Sequence, residues 1–115
     1  MTILLEGLNR IRDLHRNDIA VAHLGTDGSA ATEPQTGLLV PESASERTPS
    51  LTASIKTNTL NYSLPSTQGT DVTYREFGTF RLSPDIDFDR SPFPGVLHTA
   101  TKNTIITKLY FYEQR

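Results

Sequence analysis

The most sustained apolar pattern runs from Asn103 to Glu113, which reads Asn-Thr-Ile-Ile-Thr-Lys-Leu-Tyr-Phe-Tyr-Glu. Almost every residue there is β-branched or aromatic, types that fit a pleated surface and lose χ1 freedom in a helix, so the stretch predicts a strand. Strand geometry sends Ile105, Thr107, Leu109 and Phe111 to one face and Ile106, Lys108, Tyr110 and Tyr112 to the other. Both faces are substantially apolar, unlike those of a strand in a sheet with one wet side. One face is expected in the core of a β-fold, the other under a helix or a neighbouring subunit.

The period changes at the start of the chain. Leu4, Leu8, Ile11 and Leu14 or His15 recur at helical spacing, with Leu5 widening the stripe, and predict one amphipathic helix over Thr2 to Arg16. Thr2 is a candidate cap, and the helix should stop near Asn17-Asp18, whose side chains compete for backbone hydrogen bonds. A short strand is expected from Asp18 to Leu24, with Ile19, Val21 and His23 on one face. It is closed by Gly25-Thr26-Asp27-Gly28, where glycine tolerates turn angles that other residues resist.

Ser29 to Ser50 is a polar connector broken by the apolar knot Gly37-Leu38-Leu39-Val40, expected to tuck a loop against the sheet or to make a short strand. From Ser50 to Leu64 the apolar positions switch from odd to even, which requires a bulge or tight bend within Lys56 to Thr59. Pro65 to Asp71 is a loop and Val72 to Leu82 the next strand, where Gly78 suggests a bulge or a close backbone approach. In Ser91-Pro92-Phe93-Pro94-Gly95 the prolines suggest a rigid turn, with a cis peptide as one form. The resulting fold class is mainly β: an antiparallel β-sandwich (18–115) behind one N-terminal amphipathic helix (1–17), a single domain.

Composition narrows the function. Hydrophobic residues make up only 36% of 115, but 16 Thr and 9 Ser turn that from disorder toward sheets with solvated outer faces. A net charge of −2 gives no general attraction to nucleic acid or anionic membranes, so neither is expected as a partner. With no cysteine, disulfides and thiolate metal sites are excluded. Ile3-Leu4-Leu5 is too short for a signal-peptide core, and the expectation is a soluble protein made in the cytoplasm.

Candidate chemistry is sparse. Arg10, Arg12 and Arg16 form a basic helix face that reads most simply as its wet side. The Gly25 to Gly28 turn lacks the Lys-Ser/Thr and the glycine spacing of phosphate loops. Asp85, Asp87 and Asp89 would share one side of an extended chain and half resemble a calcium loop. Arg90 stands where that loop needs glycine and Val96 where it needs glutamate, so a solvated strand edge that discourages pairing is preferred. His15, His23 and His98 have no metal-ligand spacing, and no serine lies in a nucleophile elbow. Glu76, flanked by Tyr74, Phe77 and Phe80, needs a partner such as Arg75, Lys108 or backbone amides. A structural hydrogen bond there outweighs acid catalysis. No catalytic residue, cofactor or metal is expected.

The order of several short motifs resembles a small β-domain of tailed bacteriophages and tailed archaeal viruses, found in tail-fibre, baseplate and neck or collar proteins. The resemblance rests on Leu24-Gly25-Thr26-Asp27-Gly28, on Gln35-Thr36-Gly37-Leu38 with Glu42, on Tyr74-Arg75-Glu76-Phe77-Gly78-Thr79-Phe80, and on Thr104 to Tyr112. It spans residues 19 to 113, with the second loop glycine displaced by one position and Thr79 where an apolar residue is usual. It implies a β-sandwich and a virion part, an adaptor or fibre-base module in neck, tail or baseplate, working as a symmetric homo-oligomer, foremost a trimer. Gly25, Thr26, Gly28, Glu76, Gly78 and Phe80 would be its structural motif residues.

Apart from the resemblance, the two-faced last strand and the single amphipathic helix leave surface for a neighbour. A subunit contact is expected at Ile106, Tyr110 and Tyr112, or along Leu4, Leu8 and Ile11. The alternative function is a glycan- or receptor-binding module using Tyr62, Tyr74 and the Asp85 to Asp89 loop.

Overall fold

The chain forms two antiparallel three-stranded sheets facing each other, with one helix at an end of the pair. This is a β-sandwich and not a closed barrel. The computed structural model describes residues 4–32, 37–83 and 86–113. Helix α1 spans Leu5–Asp18, and the strands are β1 (Val21–Gly25), β2 (Ser50–Ser54), β3 (Thr57–Leu64), β4 (Val72–Ser83), β5 (Ile86–His98) and β6 (Thr104–Phe111). Strand order is β1-β4-β5 in the first sheet and β2-β3-β6 in the second.

Alternation along the strands builds the core. Ala22, Leu24, Tyr74 and Phe77 of the first sheet meet Leu60, Tyr62 and Leu64 of the second, with Ile106 and Tyr110 packed beside them. The Tyr62 and Phe77 rings meet edge to face at 5.3 Å. Each such large side chain taken from water contributes about 1.5–3 kcal/mol. The switch of parity seen between Ser50 and Leu64 is a hairpin: β2 and β3 flank Ile55-Lys56, and Lys56 takes the turn at φ 53°. The bend therefore sits at the first residue of the expected window.

The helix ends at Asp18, at the expected stop Asn17-Asp18, and its expected cap, Thr2, lies outside the described residues. Asn58, fully buried on β3, donates Nδ2–H to the Arg12 carbonyl at 2.9 Å and to the Tyr112 hydroxyl at 3.0 Å. His15 also hydrogen-bonds the Tyr112 hydroxyl. Asn9 Oδ1 accepts from the Lys56 amide at 2.9 Å. The helix thus covers the end of the sandwich where the β2–β3 turn and the end of β6 emerge.

Two expectations for residues 83–95 are corrected. Ser91 to Gly95 is not a turn: it lies inside β5, a 13-residue edge strand, and no described peptide bond is cis. Proline is tolerated there because an edge strand has a side with no ladder to complete. Opposite Arg75, between the Tyr74↔Val96 and Glu76↔Pro92 pairs, β5 carries extra residues that let Pro94 and Gly95 bow outward. A second irregularity separates the aspartates: Thr79 pairs with Asp89 but Phe80 with Asp87, so Phe88 is a bulge and the alternation breaks. Asp87 turns to the outer face of the sheet and Asp89 to the inner one, and neither is a solvated edge charge. Asp85 lies outside the described residues.

Candidate functional site

The densest polar constellation stands on the outer face of β1-β4-β5, under the connector between β1 and β2. The parity shift after Tyr74 sends Glu76 to this face, and Glu76 is fully buried there. Its Oε2 accepts backbone N–H groups from Asp27 at 3.0 Å and Val40 at 2.9 Å. Its Oε1 accepts Leu39 N–H at 2.8 Å and Arg90 Nε–H at 2.8 Å. Arg90, 4% exposed, continues outward, donating to the carbonyls of Ser29 at 2.8 Å and Asp27 at 2.9 Å. One ion pair therefore fastens the Gly25 turn and the Leu38 knot to the sheet.

Burial works against charge on Glu76 and is the largest influence on it. The Arg90 guanidinium and the three amides together outweigh it and hold the carboxyl below its ordinary range. All four acceptor positions are occupied, so the group acts as an anchor for the connector. Arg75 and Lys108, the side-chain partners expected for it, lie elsewhere. Arg75 is exposed, and Lys108 donates to Asp89 at 2.7 Å between the sheets.

The glycines make this approach possible. A Cβ on Gly25 would stand 2.5 Å from the Val40 carbonyl oxygen and against the Glu76 carboxylate. A Cβ on Gly78 would stand 2.9 Å from Leu38 Cδ2 and 3.0 Å from the Asp89 carbonyl oxygen. Beside them His23 Nε2 lies 2.7 Å from Asp87 Oδ1, and Asp87 Oδ2 accepts Leu38 N–H at 3.1 Å. The Phe80 ring packs on His23 at 4.9 Å. Thr26 N–H donates to Val40 O at 3.0 Å, and Glu42 N–H to Leu24 O at 2.9 Å. Gly28 lies against Arg75. Gln35 and Thr36 lie outside the described residues.

Between the sheets, Asp89 accepts from Thr79 Oγ1 at 2.9 Å, Lys108 Nζ at 2.7 Å and the Tyr110 hydroxyl at 2.6 Å. Burial, the Asp89 charge and its hydrogen bond push the Tyr110 phenol far up. His98 is buried between Thr104 Oγ1, at 2.5 Å, and the Pro65 carbonyl, at 2.9 Å. That carbonyl can only accept, so His98 Nε2 carries the proton. The three histidines do not converge, and among the described residues no group of three acidic or histidine side chains could hold a metal. Nor is any helix among them long and apolar enough to cross a membrane.

Of the residues expected at a subunit contact, Ile106, Tyr110 and Tyr112 turn inward: Ile106 joins the core, Tyr110 meets Asp89, and Tyr112 holds the helix. Leu8 is 9% exposed, while Leu4 and Ile11 face outward at 73% and 43%. The exposed apolar row of β6 is instead Ile105, Leu109 and Phe111, at 68%, 48% and 64%. Tyr62 and Tyr74, which a sugar-binding face would have to present, are core residues. Sequence reasoning missed Arg90 and the His23–Asp87 pair. The available signal was a buried glutamate opposite a strand with an embedded arginine, but the β4–β5 register that joins them is not local. No family model, curated protein or solved structure matches this chain.

Proposed function

We propose that the chain is a structural virion protein of a tailed virus, an adaptor or fibre-base module of the neck, tail or baseplate that works by homo-oligomeric assembly and by docking to other virion proteins. The observation that carries this reading is the clustering around Glu76. Most of the segments behind the resemblance (Gly25 to Gly28, Gly37-Leu38 with Glu42, and Glu76 to Phe80) are far apart in sequence and gather on this one face: Asp27 N–H binds the Glu76 carboxylate, Leu38 N–H binds Asp87 beside it, and Glu42 N–H binds the Leu24 carbonyl. Such an anchor gives a long surface connector one shape, which a particle built from repeated contacts requires. The carboxylates and the guanidinium gathered there are taken up by one another and by backbone groups, which favours a binding part over a chemical one. Synthesis in the host cytoplasm and residence in the virion follow from the same reading.

The test is incorporation. Tagged protein is co-expressed with portal, tail-tube and baseplate proteins of its source genome, if that genome encodes them, and purified particles are assayed for it by mass spectrometry. A stable complex with one of those proteins and a fixed copy number per particle support the proposal. Absence from particles, with no complex formed, refutes it.

A further inference from the structure

The four edges of the two sheets are not equally protected. Beside β1, residues Pro41 and Arg47 form bridges to Gly25 and Ala22, so that edge is covered. The β2 edge is five residues long, and Arg12 Nη1 takes the Ser54 carbonyl at 2.6 Å. The β5 edge carries Pro92 and Pro94 and is broken by register shifts. Short length, proline and bulges are the usual ways of blunting an edge. The β6 edge has none of them: its register with β3 runs unbroken from Thr104 to Phe111, and its one charged side chain, Lys108, points inward to Asp89.

The ladder also fixes which groups are free. Tyr112 N–H donates to the Lys56 carbonyl at 2.9 Å, so the even-numbered residues of β6 bond to β3. The amides and carbonyls of Ile105, Thr107, Leu109 and Phe111 then point to the open edge, and the side chains of three of these make the exposed apolar row.

We infer that β6 pairs with β6 of a second copy, antiparallel across a two-fold axis at Thr107, joining two sheets into one of six strands. Among the described residues a copy offers no other open edge, so the contact is isologous. With Thr107 on the axis, Ile105 faces Leu109 of the partner subunit, and the chains share about six backbone hydrogen bonds. Centring on Lys108 would set like charges directly opposite each other. The paired edges, with the apolar row and the neighbouring Val96 and Leu97, cover on the order of 1,000 Å² in total, the lower limit for a specific interface, so the dimer is reversible. The inference deepens the assembly reading and rests on it for its purpose, not for its geometry.

Sedimentation velocity on the purified full chain across micromolar to millimolar concentration is the test. The wild type should show a concentration-dependent monomer–dimer equilibrium. Thr107→Pro, which removes an outward N–H, and Leu109→Lys, which changes only an exposed side chain, should each weaken it more than about tenfold. The circular dichroism spectrum and melting midpoint of Leu109→Lys should match the wild type. The chain has no cysteine, so single cysteines report register. Thr107→Cys should cross-link to its copy under mild oxidation, because a hydrogen-bonded pair spaces Cα atoms by about 5.5 Å. Ile105→Cys, about 13 Å from its own equivalent, should not. A monomer at all concentrations overturns the inference. So does association that both edge variants leave unchanged, such as a trimer through the outer face of α1, although that result would leave the assembly reading standing.

Discussion

Replacing Glu76 by glutamine keeps the shape of the side chain and removes its charge and half its acceptor capacity. Whichever way the amide lies, two of the four donors now face an NH₂ group: Asp27 and Val40 N–H, or Leu39 N–H and Arg90 Nε–H. Each buried donor left unpaired costs about 1–3 kcal/mol. Arg90, 4% exposed, also loses the carboxylate its Nε binds at 2.8 Å, while Asp27 stands at 3.7 Å. Breaking a buried pair from one side costs about 3–5 kcal/mol, and the two routes agree on roughly 4 kcal/mol. Against the 5–15 kcal/mol typical of a whole domain, that is a large fraction. Urea denaturation followed by circular dichroism should move its midpoint down by about 2 M, given a slope of about 2 kcal/mol per molar. Limited proteolysis should cut between residues 26 and 42 before the strands. A midpoint shift below about 0.5 M with the slope unchanged would refute the anchoring role.

The same carboxyl sets an acid limit. Its folded value lies below the ordinary 4.5, so its stabilisation is complete above about pH 4.5 and is lost as pH falls through the lower folded value. Melting midpoints measured from pH 6 to 3 should drop in the wild type and flatten in Glu76→Gln. His15 should act in a higher window: burial, partly opposed by Asp89 and Asp18, holds it below 6.5 when folded, so the unfolded chain takes the proton first. Stability should therefore fall as pH drops below about 6.5, and His15→Phe should remove that slope in a pH series of urea midpoints. Gly25→Ala should cost about 1–3 kcal/mol by thermal denaturation, because its Cβ would press on the Val40 carbonyl and the Glu76 carboxylate.

Elements with a local signature were legible in the sequence. The β-branched run at 104–111, the helix stripe, the odd-to-even switch before Leu60 and the tight approach at Gly78 all follow from spacing and side-chain type. The buried state of Glu76 and its need for a partner were legible too. Backbone amides were among the expected partners and supply three of its four donors, but its charged partner was not legible. Arg75 adjoins it in sequence and Lys108 lies on the nearest certain strand, whereas Arg90 reaches it only because β5 slips relative to β4. The same slips defeat simple alternation at Asp87 and Asp89. They also turn a double-proline segment that reads as a turn into part of an edge strand. Bulges are decided by what packs across the sheet, and a single strand's pattern does not record that.

Tyr112 is separated by 97 positions from the histidine it holds, and it also grips Asn58 beside that helix. The helix is thus moored at two places along the chain, by Ser54, Lys56 and Asn58 at the β2–β3 hairpin and by Tyr112 just beyond β6. Of the stripe Leu4, Leu8 and Ile11, these holds bury Leu8, while Leu4 and Ile11 stay exposed at 73% and 43%. The helix therefore acts as a clasp that the middle of this stretch of chain and its far end both grip.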